Sequence, residues 1–171
     1  MGIVKFTLAT VFYLVIAATP AMADGCEGDC QNGQGTYKTD YGIYVGQFKN
    51  GRKNGEGTYT STFGKYVGQW EDGKENGKGT FYAKDGKRYV GRFKNGKENG
   101  RGVLYDSDGS KIYEGQWDNG VRHGDGILFF RDGGKFYEGQ FRENEFNGQG
   151  TLYFNDGSKY VGQFKNGEPV K

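Results

Sequence analysis

The sequence predicts an all-β protein of about twelve antiparallel strands, paired in chain order as a row of hairpins. Three observations carry this. Tyr-x-Gly-x-Phe/Trp begins at Tyr44, Tyr66, Tyr89, Tyr113, Tyr137 and Tyr160, at spacings of 22, 23, 24, 24 and 23 residues, and self-similarity at such a period marks a repeat architecture. Asn-Gly, the strongest short-range hairpin signal, occurs nine times because both residues tolerate φ > 0. The 171 residues include 33 Gly, 2 Pro, 13 Tyr and 13 Phe, a balance that excludes both collagen and a disordered tail. At 34% hydrophobic residues the chain is too polar for a thick two-layer core, so large rings on a Gly-rich frame must serve instead. The net charge of +2 comes from interspersed signs, which gives no footprint for nucleic acid.

Residues 1–23 read as a signal peptide. Lys5 precedes an uncharged apolar run from Phe6 to Ala18, and small residues at Ala21 and Ala23 set up cleavage after Ala23. The run is shorter than the ~20 residues needed to cross a bilayer; retention as an uncleaved anchor is the alternative. Export makes the protein secreted or periplasmic and allows Cys26 and Cys30 to pair. No Asn-x-Ser/Thr occurs, which leans towards a bacterial product.

Residues 24–43 form an N-terminal capping half repeat. Cys26 and Cys30 occupy slots where later units hold Tyr and Phe. In a flat strand their Cα atoms would stand ~13 Å apart, so a disulfide requires the chain to turn at Gly28. Whole repeats follow at 44–65, 66–88, 89–112, 113–136 and 137–159, with a C-terminal half repeat at 160–171. In each whole repeat a Gly-x-Gly lies eleven residues after the Tyr, from Gly55/Gly57 to Gly148/Gly150. Where the other first turns carry Gly51, Gly73, Gly96 and Gly120, the fifth carries Asn144, the residue best able to keep a left-handed backbone without Gly.

These units resemble the MORN repeat, with its Tyr-x-Gly-x-Trp, Gly-x-Gly and Asp-Gly turn; residues 66–88, YVGQWEDGKENGKGTFYAKDGKR, are a near-consensus copy. The resemblance implies hairpins stacked into one elongated, twisted sheet. It also implies a scaffold or a membrane-associated module, because enzymes bearing such arrays carry a separate catalytic domain.

Register follows from arithmetic. Pairing Tyr44 with Tyr59 sets Gly46 opposite Gly57 and Phe48 opposite Gly55. Extended through the second turns, this gives one row of large side chains from Tyr37 to Tyr160 and a second row alternating rings with Gly from Phe48 to Phe164. Each ring can lie over neighbouring Gly backbone. The sheet should run roughly 50–60 Å at ~4.8 Å per strand.

The repeat removes the catalytic suspects. His123, the single histidine, fills the slot of Asn54, Asn76, Asn99 and Asn147 and reads as a turn residue. Asp85, Asp108, Asp132 and Asp156 each precede a turn Gly, leaving no fixed carboxylate pair for acid–base chemistry. Gly-x-Gly within strands is no phosphate loop. The expectation is a non-enzyme with no cofactor and no metal.

Binding candidates lie on the other sheet face. Tyr82, Tyr105, Phe129 and Tyr153 form a column of rings, read either as packing on one another or on the second turns, or as a partner or glycan face. Lys78, Arg92 and Arg101 are adjacent in a polar row and form a candidate anion or lipid contact, against the alternative of a solvated face. The expected function is an exported, non-catalytic scaffold with a protein partner. Binding of acidic phospholipid or cell-wall glycan is the alternative, and a free edge at Tyr160–Phe164 would allow end-to-end self-association.

Overall fold

The computed structural model describes residues 25–170; the proposed signal peptide and its cleavage site lie outside them. Fourteen strands form one open sheet in which each strand pairs only with its neighbours in chain order. They are β1 Cys26–Gly28, β2 Gln34–Thr39, β3 Gly42–Lys49, β4 Arg52–Ser61, β5 Gly64–Glu71, β6 Lys74–Ala83 and β7 Arg88–Lys94, then β8 Lys97–Tyr105, β9 Lys111–Asp118, β10 Val121–Phe129, β11 Lys135–Arg142, β12 Glu145–Tyr153, β13 Lys159–Lys165 and β14 Glu168–Pro169. The two strands beyond the expected twelve are short end pieces. β1 ends at Gly28, whose φ of 88° bends the chain, and the turn over residues 30–33 folds it onto β2. β14 is folded back along β13 by Asn166-Gly167, at φ 51° and 84°.

The period-two alternation buries one face. Tyr44, Gly46 and Phe48 point inward while Ile43, Val45 and Gln47 point outward, and the same pattern recurs in β5. On the inner face each repeat's Tyr stands edge-on between its own Phe or Trp and that of the next repeat. Tyr44 contacts Phe48 and Trp70 at 5.1 Å, Tyr66 contacts Trp70 at 5.3 Å and Phe93 at 4.9 Å, and the zipper continues to Phe164. Edge-to-face pairs of this kind add to the area they bury, and they supply a core without a second layer.

The Tyr hydroxyls fix the rings over glycine. Tyr44 donates to the Gln47 carbonyl at 2.9 Å, and Tyr66, Tyr89, Tyr113 and Tyr137 repeat the contact. Beneath each ring lies a Gly pair such as Gly46/Gly57, and an added Cβ at Gly57 would overlap the Tyr44 ring and hydroxyl. These pairs join into a column with one Gly per strand from Gly35 in β2 to Gly162 in β13. The periodic glycines thus serve ring packing as expected, but the rings over the central column are the tyrosines.

The hairpin register differs from the expectation in one respect. Phe48 faces Lys53, and Gly55 faces Trp70 of the next strand. The reason is the turn: Asn50-Gly51, at φ 51° and 73°, closes as a two-residue loop with Lys49 opposite Arg52. That leaves two residues over, and they bulge at Asn54-Gly55, where Gly55 takes φ 81°. The same bulge recurs in the other whole hairpins, with positive φ at Gly77, Gly100, Gly124 and Gly148. His123 accordingly sits in the bulge of β10, exposed, and not in a turn. Asn144 takes φ 72°, the left-handed conformation that its slot demanded.

Candidate binding face

The outward residues of β3–β13 make three columns. The middle one is small and half-exposed over β3–β8, with Val67, Thr80, Val90 and Val103 at its centre, and carries Glu114 and Glu138 further along. On one side runs the polar row that contains Lys78, Arg92 and Arg101; on the other runs the row of rings.

The basic residues are brought together. Lys78 is the direct cross-strand partner of Arg92, and Arg101 stands across the bulge on β8. All three are exposed and line one shallow groove with Val67, Gln69 and Val90, bounded by Glu56. None of them makes an ion pair among the described residues. A second groove begins at Arg101 and continues past Glu114, Asp125 and Glu138 over Val103 and Ile127. The open face therefore changes sign along its length.

Tyr82, Tyr105, Phe129 and Tyr153 do share a column, but they do not pack on one another. Cations stand between them: Lys65 pairs with Tyr82, Tyr82 with Arg88, Arg88 with Tyr105, and Tyr105 with Lys111. Lys65 Nζ lies 5.1 Å from the Tyr82 centroid, Arg88 Cζ 4.5 Å from that of Tyr105 and Lys111 Nζ 5.7 Å from that of Phe129. Lys135 is opposite Phe129 and binds Glu138 at 2.7 Å, while the Tyr153 hydroxyl donates to the same carboxylate at 3.1 Å. The Lys135 contact, then that of Tyr153, holds the Glu138 carboxyl below its ordinary range. The signal for these cations is the Lys or Arg that ends each second turn, just before the repeat's Tyr, and single-column reading of the rings passed over it.

The polar row hides a second structural role. Gln47 Oε1 accepts the Glu56 amide at 2.8 Å, Gln69 accepts that of Lys78 at 2.9 Å and Gln140 that of Gln149 at 3.1 Å. Each amide side chain plugs a bulge, which is why the bulge residue at its oxygen is a Gly.

On the inner face Lys53 extends over three rings, 4.0 Å from the Tyr59 centroid, 4.7 Å from Trp70 and 5.2 Å from Tyr44. Burial there holds its ammonium below the ordinary lysine range. At the N-terminal edge Cys26 and Cys30 are joined as a disulfide with Cα atoms 6.3 Å apart; the expected turn at Gly28 is a bend of φ 88° at the end of β1, with the turn itself at residues 30–33. Cys30 is 3% exposed and lies over Gly35, so the bridge replaces a Tyr/Phe pair. Asp85, Asp108, Asp132 and Asp156 each accept the amide two residues on, at 2.9–3.1 Å, and are spent in their turns. Among the described residues no group of three or more metal-ligating side chains assembles.

A family model described as MORN repeat matches residues 44–62, 66–88, 89–111, 113–135, 137–159 and 160–170. No curated protein matches the chain.

Proposed function

The chain belongs to the MORN-repeat family, and from that premise we propose that it is an exported, non-catalytic scaffold that holds a protein partner on the open face of its sheet. Repeats of this family suggest a binding role generally. The observation that supports the reading here is the asymmetry of the two faces. The inner face is filled by the chain's own rings, with Tyr44, Tyr113 and Tyr137 fully buried. The outer face keeps a floor of Val and Thr on β3–β8 half-exposed between a polar row and a row of rings. A sheet held rigid from behind offers a partner a surface that needs no ordering on binding, which lowers the entropic cost of association.

The test is affinity capture from a fractionated cell envelope with the folded, oxidised protein and with Val90→Glu/Val103→Glu, a change confined to the open face. A protein retained at high salt by the native surface and lost with the variant is the expected result. Retention of the same proteins by both, or of none above background, overturns the reading.

A second reading, attachment to an anionic envelope surface, is favoured by one observation: Lys78, Arg92 and Arg101 stand together without a carboxylate partner among the described residues. Acidic phospholipid and cell-wall glycan are the candidate surfaces.

A further inference from the structure

The third repeat departs from a rule that the others keep, and the departure points to a ligand. The bulge-facing slot holds Gln47, Gln69, Gln116, Gln140 and Gln163, but in the third repeat it holds Arg92. A guanidinium has no acceptor for the bulge amide, so the contact made by Gln47, Gln69 and Gln140 is given up. Arg92 also stands directly opposite Lys78, with Arg101 on the next strand. Like charges so placed disfavour the free protein, and a bound anion relieves them.

The geometry of the cluster describes that anion. Three cations on successive strands lie in line along the sheet axis, one per strand spacing of about 4.8 Å. Across the floor of Val67, Thr80, Val90 and Val103 runs the second row, where the Arg88 guanidinium lies over Tyr105 at 4.5 Å and Lys65 over Tyr82 at 5.1 Å. That second row adds positive charge along the other side of the floor. Glu56 on β4 and Glu114 on β9 mark the two ends of the band.

We infer that this band, on β6, β7 and β8, binds a linear acidic polysaccharide with one carboxylate per sugar, laid along the sheet axis. Its carboxylates meet Lys78, Arg92 and Arg101, and its C–H faces rest on the Val and Thr floor. The inference rests on the envelope-surface reading above and narrows it to a ligand class. A bilayer fits the band less well, because the most exposed large side chains, Tyr41 and Phe63 at 80% and 81%, project from turn tips and not from this face. A lone phosphate fits less well too, since it calls for donors converging on one point.

Calorimetric titration of the protein with galacturonate oligomers of two, four and eight sugars tests this, alongside neutral oligosaccharides of equal length, inorganic phosphate, and phosphatidylcholine vesicles with and without phosphatidylglycerol. The expected result is binding of the acidic oligomers that tightens about tenfold or more with length and weakens with salt. The variant K78Q/R92Q/R101Q uses a residue already found in both slots, Gln69 and its counterparts for Arg92 and Gln149 for Lys78 and Arg101, so it keeps the fold, and it should bind about tenfold or more weakly by loss of the three charges. Undiminished binding by that variant, or equal binding of neutral oligosaccharides, overturns the inference. Binding of phosphatidylglycerol vesicles or phosphate without the oligomers overturns it while sparing the envelope-surface reading; silence with every anionic probe overturns both.

Discussion

Glycine answers to two separate constraints in this chain, and single substitutions separate them. Gly57 lies beneath the Tyr44 ring, where a Cβ has no room, whereas Gly133 has φ 90° and open space around it. Gly57→Ala should cost about 3 kcal/mol through overpacking, and Gly133→Ala about 1 kcal/mol through backbone conformation alone. Urea unfolding monitored by Trp fluorescence reads both. At Arg92 the change to Gln should stabilise the fold by about 1 kcal/mol, because it restores the bulge hydrogen bond and removes a like-charge pair; an unchanged or lower melting temperature would contradict the plug assigned to Gln47 and its counterparts. Much of this scale was legible in the residues. The Tyr-x-Gly spacing foretold the row of large side chains and set Gly46 opposite Gly57, and Asn144 foretold its own backbone. The Gln plug was not legible, since its partner is a backbone amide that becomes available only once the bulge forms.

Each hairpin resolves a competition between turn chemistry and strand register, and the turn wins. Pairing Phe48 with Gly55 would leave Asn50-Gly51 off the apex of the loop, while the two-residue turn that Asn-Gly favours pushes the surplus into a bulge at Asn54-Gly55. Side-chain periodicity alone carries no information about that surplus, so the sequence reading placed it wrongly. The uneven repeat lengths find their explanation at the same level. Units of 24 residues admit one extra residue beside the second turn, Ile112 or Phe136, where the register shifts and the added side chain joins the inner-face cluster. The end strand β1 depends on different chemistry: Cys26 and Cys30 close a loop of sequence separation 4, for which chain entropy predicts about 2 kcal/mol. Reduction should therefore speed amide exchange at residues 25–38, where Lys38 donates to the Gly25 carbonyl at 2.9 Å, and leave β5–β12 protected. Loss of protection throughout the sheet would show that the bridge supports more than its own edge.

Across the whole molecule, stability is shared by repeated buried phenols, and alkaline pH addresses them together. Burial pushes Tyr44, Tyr113 and Tyr137 up to about 12, and Tyr66 and Tyr89 higher still, against about 10 for an unfolded tyrosine. The unfolded chain thus releases these protons first. The stability due to burying neutral phenols is complete below pH 10 and is lost as pH rises through 12. Melting temperature should hold steady from pH 7 to 9 and fall steeply above pH 10, while the native protein should show a class of phenolate absorbance delayed towards pH 12. A single titration near 10 would contradict the buried zipper. Finally, strand order equals chain order throughout the sheet, and first-turn amides such as that of Gly73 reach only the preceding hairpin, here the Lys53 carbonyl at 2.9 Å. Length is consequently a free parameter of this architecture: a duplicated repeat inserted between two others lengthens the platform by two strand widths, about 10 Å, keeps the contacts within each older repeat and rebuilds the same junction on either side. The protein is a ruler that gene duplication can extend one division at a time, and the basic division at β6–β8 marks a fixed place on it.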